Sequence, residues 1–202
     1  MIDNRQSAFD DGLSKMQKLI LIKHAAPLVD PAKSSDLWKL SEAGREQCQA
    51  LGERLESEQL QWIVSSEEPK ARETAEILSR KFGKPVSSAV NLREHDRRNV
   101  PHMRSRDFIS MVELFFRKPG ERVLGSESAN EALERFTRAV DEVIASHAEG
   151  NIGIVAHGTV IALYLAAHSK RNGFDLWRAM GLPSYAAVSL PGREVEQVVE
   201  KI

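Results

Sequence analysis

The chain has one cysteine among its 202 residues. A lone Cys48 excludes an internal disulfide and fits a reducing compartment. It falls on the apolar face of a predicted helix, where a buried, inert thiol is expected rather than a nucleophile. Charge bias is missing too. Lys and Arg number 28 against 29 Asp and Glu, so bulk electrostatics points to no nucleic-acid partner and no anionic membrane. No run of about 18 apolar residues occurs, and the first sixteen residues hold no apolar stretch of signal-peptide length. A cytoplasmic protein is expected, with residues 1–17 as a flexible, polar N-terminal extension. Internal repeats and low-complexity tracts are absent. With 42% hydrophobic and 28% charged residues the composition is that of an ordinary globular protein. The length suits one domain with a sizeable core, placed at residues 18–202.

What is present alternates strands with helices. Lys18 to Lys23 reads as a strand. Ser41, with Glu42 in the first turn, opens a helix that lines up Gly44, Cys48, Leu51 and Leu55 on one side. Trp62 to Val64 is a short strand running into Ser65-Ser66. A second helix, about Pro69 to Phe82, has Ala71, Thr74, Ala75, Leu78 and Phe82 as its inner stripe, and Gly83 stops it. Pro85 to Val90 is the next strand. After an irregular charged stretch, a helix spans about Asp107 to Arg117. Ser128 and Glu131 have capping-box spacing, followed by the apolar stripe Leu133, Phe136, Val140, Val143 and Ile144. A strand ending at His157, a helix over about Thr159 to His168, and a hairpin of Tyr185–Leu190 with Val195–Val199 complete the chain. The alternation predicts an α/β fold, a three-layer α/β/α sandwich about a mostly parallel sheet. Trp38 and Trp177 are expected in the core, with a homodimer interface as the alternative.

Two of the strands end in a way that points to chemistry. The segments from Leu19 to Ala25 and from Asn151 to Gly158 are short apolar runs that stop at a histidine followed by a small residue. Such runs read as buried parallel strands, and open α/β sheets bind ligands beyond the strand C-termini. Side by side, the two would bring His24 and His157 over one ligand, one imidazole attacking and the other stabilising negative charge. Either histidine alone reads equally well as a strand-end residue without a role.

Six pieces in order carry a family resemblance. They are Lys23-His24-Ala25, Leu40-Ser41-Glu42-Ala43-Gly44-Arg45-Glu46-Gln47-Cys48, Ser65-Ser66 with Lys70-Ala71 and Thr74-Ala75, Leu92-Arg93-Glu94, Ser126-Glu127-Ser128, and His157-Gly158. Together they resemble the histidine phosphatase superfamily in its phosphoglycerate-mutase-like branch, over roughly Leu19 to Leu190. The resemblance implies that fold and a metal-independent phosphomonoester hydrolase. It would act without a cofactor on a small anionic phosphorylated substrate, through a phosphohistidine. It implies His24 as the nucleophile, neutral at the attacking nitrogen with its other nitrogen held by a carbonyl or similar acceptor. His157 would donate to the phosphoryl oxygens, helped by the backbone of Gly158 and Thr159 at a helix N-terminus. Glu94 would be the acid and base, which requires a raised pKa. His95 and Asp96 are rival proton donors, and Arg93 beside Glu94 could instead make it an ordinary surface ion pair.

The departures matter as much as the matches. The family clamps phosphate with two arginines, and here both places hold lysine, Lys23 and Lys70. Lysine keeps the charge but loses the planar fork that grips two oxygens. Arg72, Arg93, Arg97 and Arg98 are the candidates to complete the clamp, with Arg72 equally readable as a solvated helix residue. From Arg93 to Arg106 the chain carries five arginines and two histidines. This stretch is read as part of a basic lid insertion over about residues 93–127, with Arg93, Arg97, Arg98, His102 and Arg104 facing the substrate. A solvated loop balanced by Glu94, Asp96 and Asp107 is the alternative. The lysine replacements also motivate a second function, a phosphate or phospho-ligand binder with little or no turnover. A zinc hydrolase on His24, His95 and His157 lacks the ligand spacing of such sites.

Overall fold

The computed structural model describes residues 16–202. The expected N-terminal extension lies outside the described residues, apart from its last two. Six strands and six helices alternate in the order β1 (Lys18–Lys23), α1 (Glu42–Leu55), β2 (Leu60–Ser65), α2 (Pro69–Phe82), β3 (Val86–Ser88), α3 (Ser105–Arg117), α4 (Ala129–Ser146), β4 (Asn151–Ala156), α5 (Gly158–Ala167), α6 (Gly173–Ala179), β5 (Ser184–Ser189) and β6 (Val195–Val199). They form one sheet ordered β3-β2-β4-β1-β5-β6. Strands β3, β2, β4 and β1 pair in parallel, and β5 is antiparallel to both its neighbours. The sheet is therefore mostly parallel, with the expected hairpin at its end.

Alternation along β1 explains the three layers. Side chains of successive strand residues point to opposite faces. Leu19 and Leu21 pack with Ile152, Ile154 and the helices carrying Phe136, Val140, Ile161 and Leu176. Ile20 and Ile22 pack on the other face with Leu51 and Leu55 of α1 and Ala71, Ala75 and Leu78 of α2. Both faces of β1 are covered, which is why it reads as an unbroken apolar run. Helix ends follow their sequence signals. Ser41 Oγ accepts from Gly44 N, Gly83 ends α2 in the left-handed region, and Ser128 and Glu131 form both halves of a capping box.

Two expectations need correction, and one element was not foreseen. The strand expected over Pro85 to Val90 is only three residues long. Helix α6 carries no long apolar period and was not predicted; Asn172 caps it by accepting from Phe174 N and Asp175 N. Trp38 is half-buried rather than in the core, because its indole N–H donates to the carbonyls of Asp30 and Lys33 and ties down their loop. Trp177 is half-buried against the core and stacks on Phe174.

Candidate active site

The parallel ladder places the two histidines. Lys23 is in register with Ala156, and each strand continues one residue to a histidine at the same edge of the sheet. The backbone N–H of His24 still donates to Ala156 O at 3.1 Å. The rings meet edge to face with centroids 5.2 Å apart. His24 Nδ1 lies 2.8 Å from Ala25 O, and a carbonyl only accepts, so Nδ1 carries the proton and Nε2 is left with a lone pair. His157 Nε2 lies 2.8 Å from Ser66 Oγ and 3.5 Å from a carboxylate oxygen of Glu68. Burial, reinforced by the Lys70 ammonium, holds both imidazoles well below their usual pKa. Both are neutral at pH 7, as an attacking nitrogen requires.

Glu94 departs from expectation. Its carboxylate accepts from the backbone N–H groups of His95, Thr159 and Val160 at 2.9–3.3 Å, and Arg97 lies 3.8 Å away. Burial alone would raise its pKa. Arg97 and the backbone donors outweigh burial and hold the carboxyl well below the ordinary carboxylate range. The raised pKa expected of a resting general acid is absent. Through the N–H groups of Thr159 and Val160 the α5 N-terminus is thus engaged by an internal carboxylate rather than left open for a phosphate.

The cations sort into three groups. Lys23 and Lys70 are at the site but already occupied. Lys23 Nζ donates to Met180 O at 2.6 Å and lies over Gly158, where a Cβ would come within 2.9 Å of the lysine chain. Lys70 is buried, donating to Ser35 O at 2.7 Å and to the Glu68 carboxylate. Arg97 is the one candidate arginine that reaches Glu94 while keeping a buried guanidinium nitrogen, Nη1, without a hydrogen-bond partner. Its guanidinium also sits 5.0 Å over the Phe108 ring. The remaining candidates point elsewhere. Arg72 is more than half exposed and faces Glu76 on its own helix, which corrects its assignment to phosphate. Arg98 is spent on both oxygens of Asp96, and Arg93 lies 3.6 Å from Glu127. His102 and Arg104 are exposed and do not line the cleft beside the site.

That cleft, of about 410 Å³, is lined by Glu68, Glu94, Arg93, Arg97 and Arg98 among others. Two residues that matter here are invisible to the spacing of motifs. Glu68 caps no helix by its side chain; it takes Lys70, the backbone N–H of Glu94 at 2.8 Å, and the flank of His157. Arg135 of α4 grips Glu127 through two nitrogens at 2.7 and 2.9 Å and donates to the carbonyls of Asn91, Arg93 and Glu94. It fixes the loop that carries Glu94. Only the Ser-Glu-Ser match at 126–128 hinted at this anchor. Gly125 serves the same loop: at φ +89°, a Cβ there would sit 2.2 Å from Asp96 O. The rival donors are otherwise engaged, with His95 packed on Phe115 at 4.2 Å and bonded to Glu127 O, and Asp96 paired with Arg98. Among the described residues, no group of three or more His, Cys, Asp and Glu side chains is placed to hold a metal ion.

Residues 20–199 match the model of the histidine phosphatase superfamily, branch 1. The chain belongs to that superfamily. A glucosyl-3-phosphoglycerate phosphatase of Mycolicibacterium vanbaalenii is 28% identical over 176 residues, 76% of this chain and 74% of that protein. Phosphoglycerate mutase-like protein 4 of Arabidopsis thaliana is 31% identical over 135 residues, 61% of this chain and 57% of that protein. The solved mycobacterial glucosyl-3-phosphoglycerate phosphatase superposes with a TM-score of 0.74 at 24% identity, covering 93% of this chain and all of that one. The superfamily fold is thus shared over nearly the whole described chain. No helix among the described residues is long and apolar enough to cross a membrane.

Proposed function

We propose that this histidine phosphatase superfamily member hydrolyses a small anionic phosphomonoester through phospho-His24. The observation that carries the proposal is the tautomer of His24: Nδ1–H is committed to Ala25 O, so the Nε2 lone pair faces the site beside His157. In the first step Nε2 forms a bond to phosphorus as the ester P–O bond breaks. The leaving oxygen takes a proton from Glu94, and in the second step Glu94 takes a proton from the water that attacks phospho-His24. Glu94 is ionised in the resting site, so its proton comes in with the substrate. The second pKa of a phosphomonoester is about 6, and a phosphoryl group beside Glu94 raises that carboxyl's proton affinity. Arg97 takes the role of a clamping arginine, with Lys23, Lys70 and His157 around the transferring group. Residues 93–127 form the cover of the site within a single domain.

A binder with little turnover is the second reading, favoured by Lys70 being neutralised by Glu68. Hydrolysis of an aryl phosphate and of a panel of sugar and glycerate phosphates separates the two. Wild type is expected to turn over and to form an acid-labile phosphoenzyme, both lost in His24→Ala. Turnover that survives His24→Ala sinks the mechanism. Tight phosphate binding without turnover establishes the binder.

A further inference from the structure

We propose that Glu68 is a specificity-determining residue, whose carboxylate occupies the seat of the phosphoryl group in the free protein and limits how much negative charge that seat accepts. The proposal rests on the reading of the site as a phosphoryl-transfer site. Two groups that would hold a transferring phosphoryl group, and a backbone donor beside them, face this one side chain. Lys70 Nζ donates to one carboxylate oxygen, while the other accepts the backbone N–H of Glu94 at 2.8 Å and lies 3.5 Å from His157 Nε2. The pair is not a surface ornament, since the Lys70 and Glu68 side chains are only 6% and 10% exposed. A carboxylate is a planar anion with two acceptor oxygens, so it satisfies the same donors as two phosphoryl oxygens would. A phosphoryl group must share those donors with this carboxylate, whose charge stays beside it.

The charge balance gives the consequence. Around the histidine pair stand three cations, Lys23, Lys70 and Arg97, and two carboxylates, Glu68 and Glu94. With both imidazoles neutral, a single surplus positive charge remains. A phosphomonoester carries about 1.5 to 2 negative charges at pH 7, more than this seat balances. In water-poor surroundings an unbalanced charge weakens binding strongly. The site therefore selects against fully ionised phosphoryl groups and accepts those of lower charge. Arg98 also lines the cleft, but it is exposed and already held by Asp96, so it does not restore the balance.

The test is calorimetric titration of the full chain with inorganic phosphate at about pH 7.5, where phosphate is mostly dianionic and Lys23 keeps most of its charge. Wild type is compared with Glu68→Gln and Glu68→Asp. Gln keeps an oxygen for the Glu94 N–H and removes the charge. It is expected to bind phosphate at least tenfold more tightly than wild type, and to lower KM for an aryl phosphate more than it changes kcat. Asp keeps the charge and is expected to bind no more than about threefold tighter. Equal or weaker phosphate binding by a folded Glu68→Gln overturns the proposal while leaving the phosphatase reading intact. If Glu68→Gln does not fold, Asp binding as tightly as a tenfold gain overturns it instead, and Asp near wild type upholds it. Failure of every folded protein, wild type included, to bind phosphate or hydrolyse the ester overturns both readings together.

Discussion

The two halves of the site are held by different physics. His24 and His157 stand one residue beyond paired positions of β1 and β4, so their separation is set by a parallel ladder buried on both faces. Glu94 and Arg97 stand on a loop without regular structure, and their positions are set by charge. Arg135 of α4 and Glu127 just ahead of that helix grip the loop, Glu68 takes the N–H of Glu94, and the α5 N-terminus takes its carboxylate. A ladder of apolar strands tolerates the loss of any one side chain without moving its ends. A buried ion-pair network does not, because removing one partner strands the other. The proposed nucleophile is thus expected to be robust and the proposed acid–base and clamp side brittle.

Glu127→Ala tests that contrast most severely. It leaves the Arg135 guanidinium buried without its carboxylate, and breaking such a pair costs about 3–5 kcal/mol of stability. Urea unfolding should show that loss, with activity lost alongside it as Glu94 wanders. Glu127→Gln, which keeps acceptors, should recover part of both. A loss below about 1 kcal/mol would mean that the loop is held by its neighbours and that the two halves do not differ.

Arg97→Ala comes next. Measured on folded protein, it is expected to lower kcat/KM by about 10²–10³, the loss seen on removing one donor to the transition state. Arg97→Lys, which keeps the charge without the fork, should fall between. Activity within threefold of wild type in Arg97→Ala would return the clamp to the two lysines alone.

The same contrast explains what could be read from the chain. The apolar runs, the caps at Ser41 and Ser128 and the stop at Gly83 are local signals, and the elements they mark fall where expected. The meeting of His24 and His157 follows from two strand ends and the rule that sheets bind ligands beyond them. The loop half carries no such signal. Whether Arg72 or Arg97 joins the site depends on which way a side chain leaves its backbone, and Arg72 points into solvent on α2. Glu68 looks like any acidic residue before a helix until the fold sets it against Lys70 and His157. The low proton affinity of Glu94 arises from Arg97, His157 and the His95 N–H working against burial, and only the fold, which also sets its carboxylate against backbone donors 65 and 66 residues away, brings His157 to it.

Lys23 gives the mildest and most selective test, because it belongs to both halves: it ends β1, yet its ammonium sits among the charges of the loop side. Burial lowers its pKa from 10.5 to about 8, with Glu94 opposing the shift and Arg97 adding to it. The sign is that of a cation losing its proton early, so its charge is present below about pH 8 and gone above it. If that charge steadies the transferring phosphoryl group, kcat/KM should fall above about pH 8, approaching tenfold per pH unit. The fall should vanish in Lys23→Arg, since a guanidinium stays protonated throughout that range. The profile of an aryl phosphate between about pH 6 and 9.5 reads this directly, and stability should not fall over the same interval. A depressed pKa means that the unfolded chain binds the proton more readily, so losing it favours the folded state. An alkaline limb that persists unchanged in Lys23→Arg would assign the titration to another group and leave Lys23 as a strand-end residue bonded to Met180.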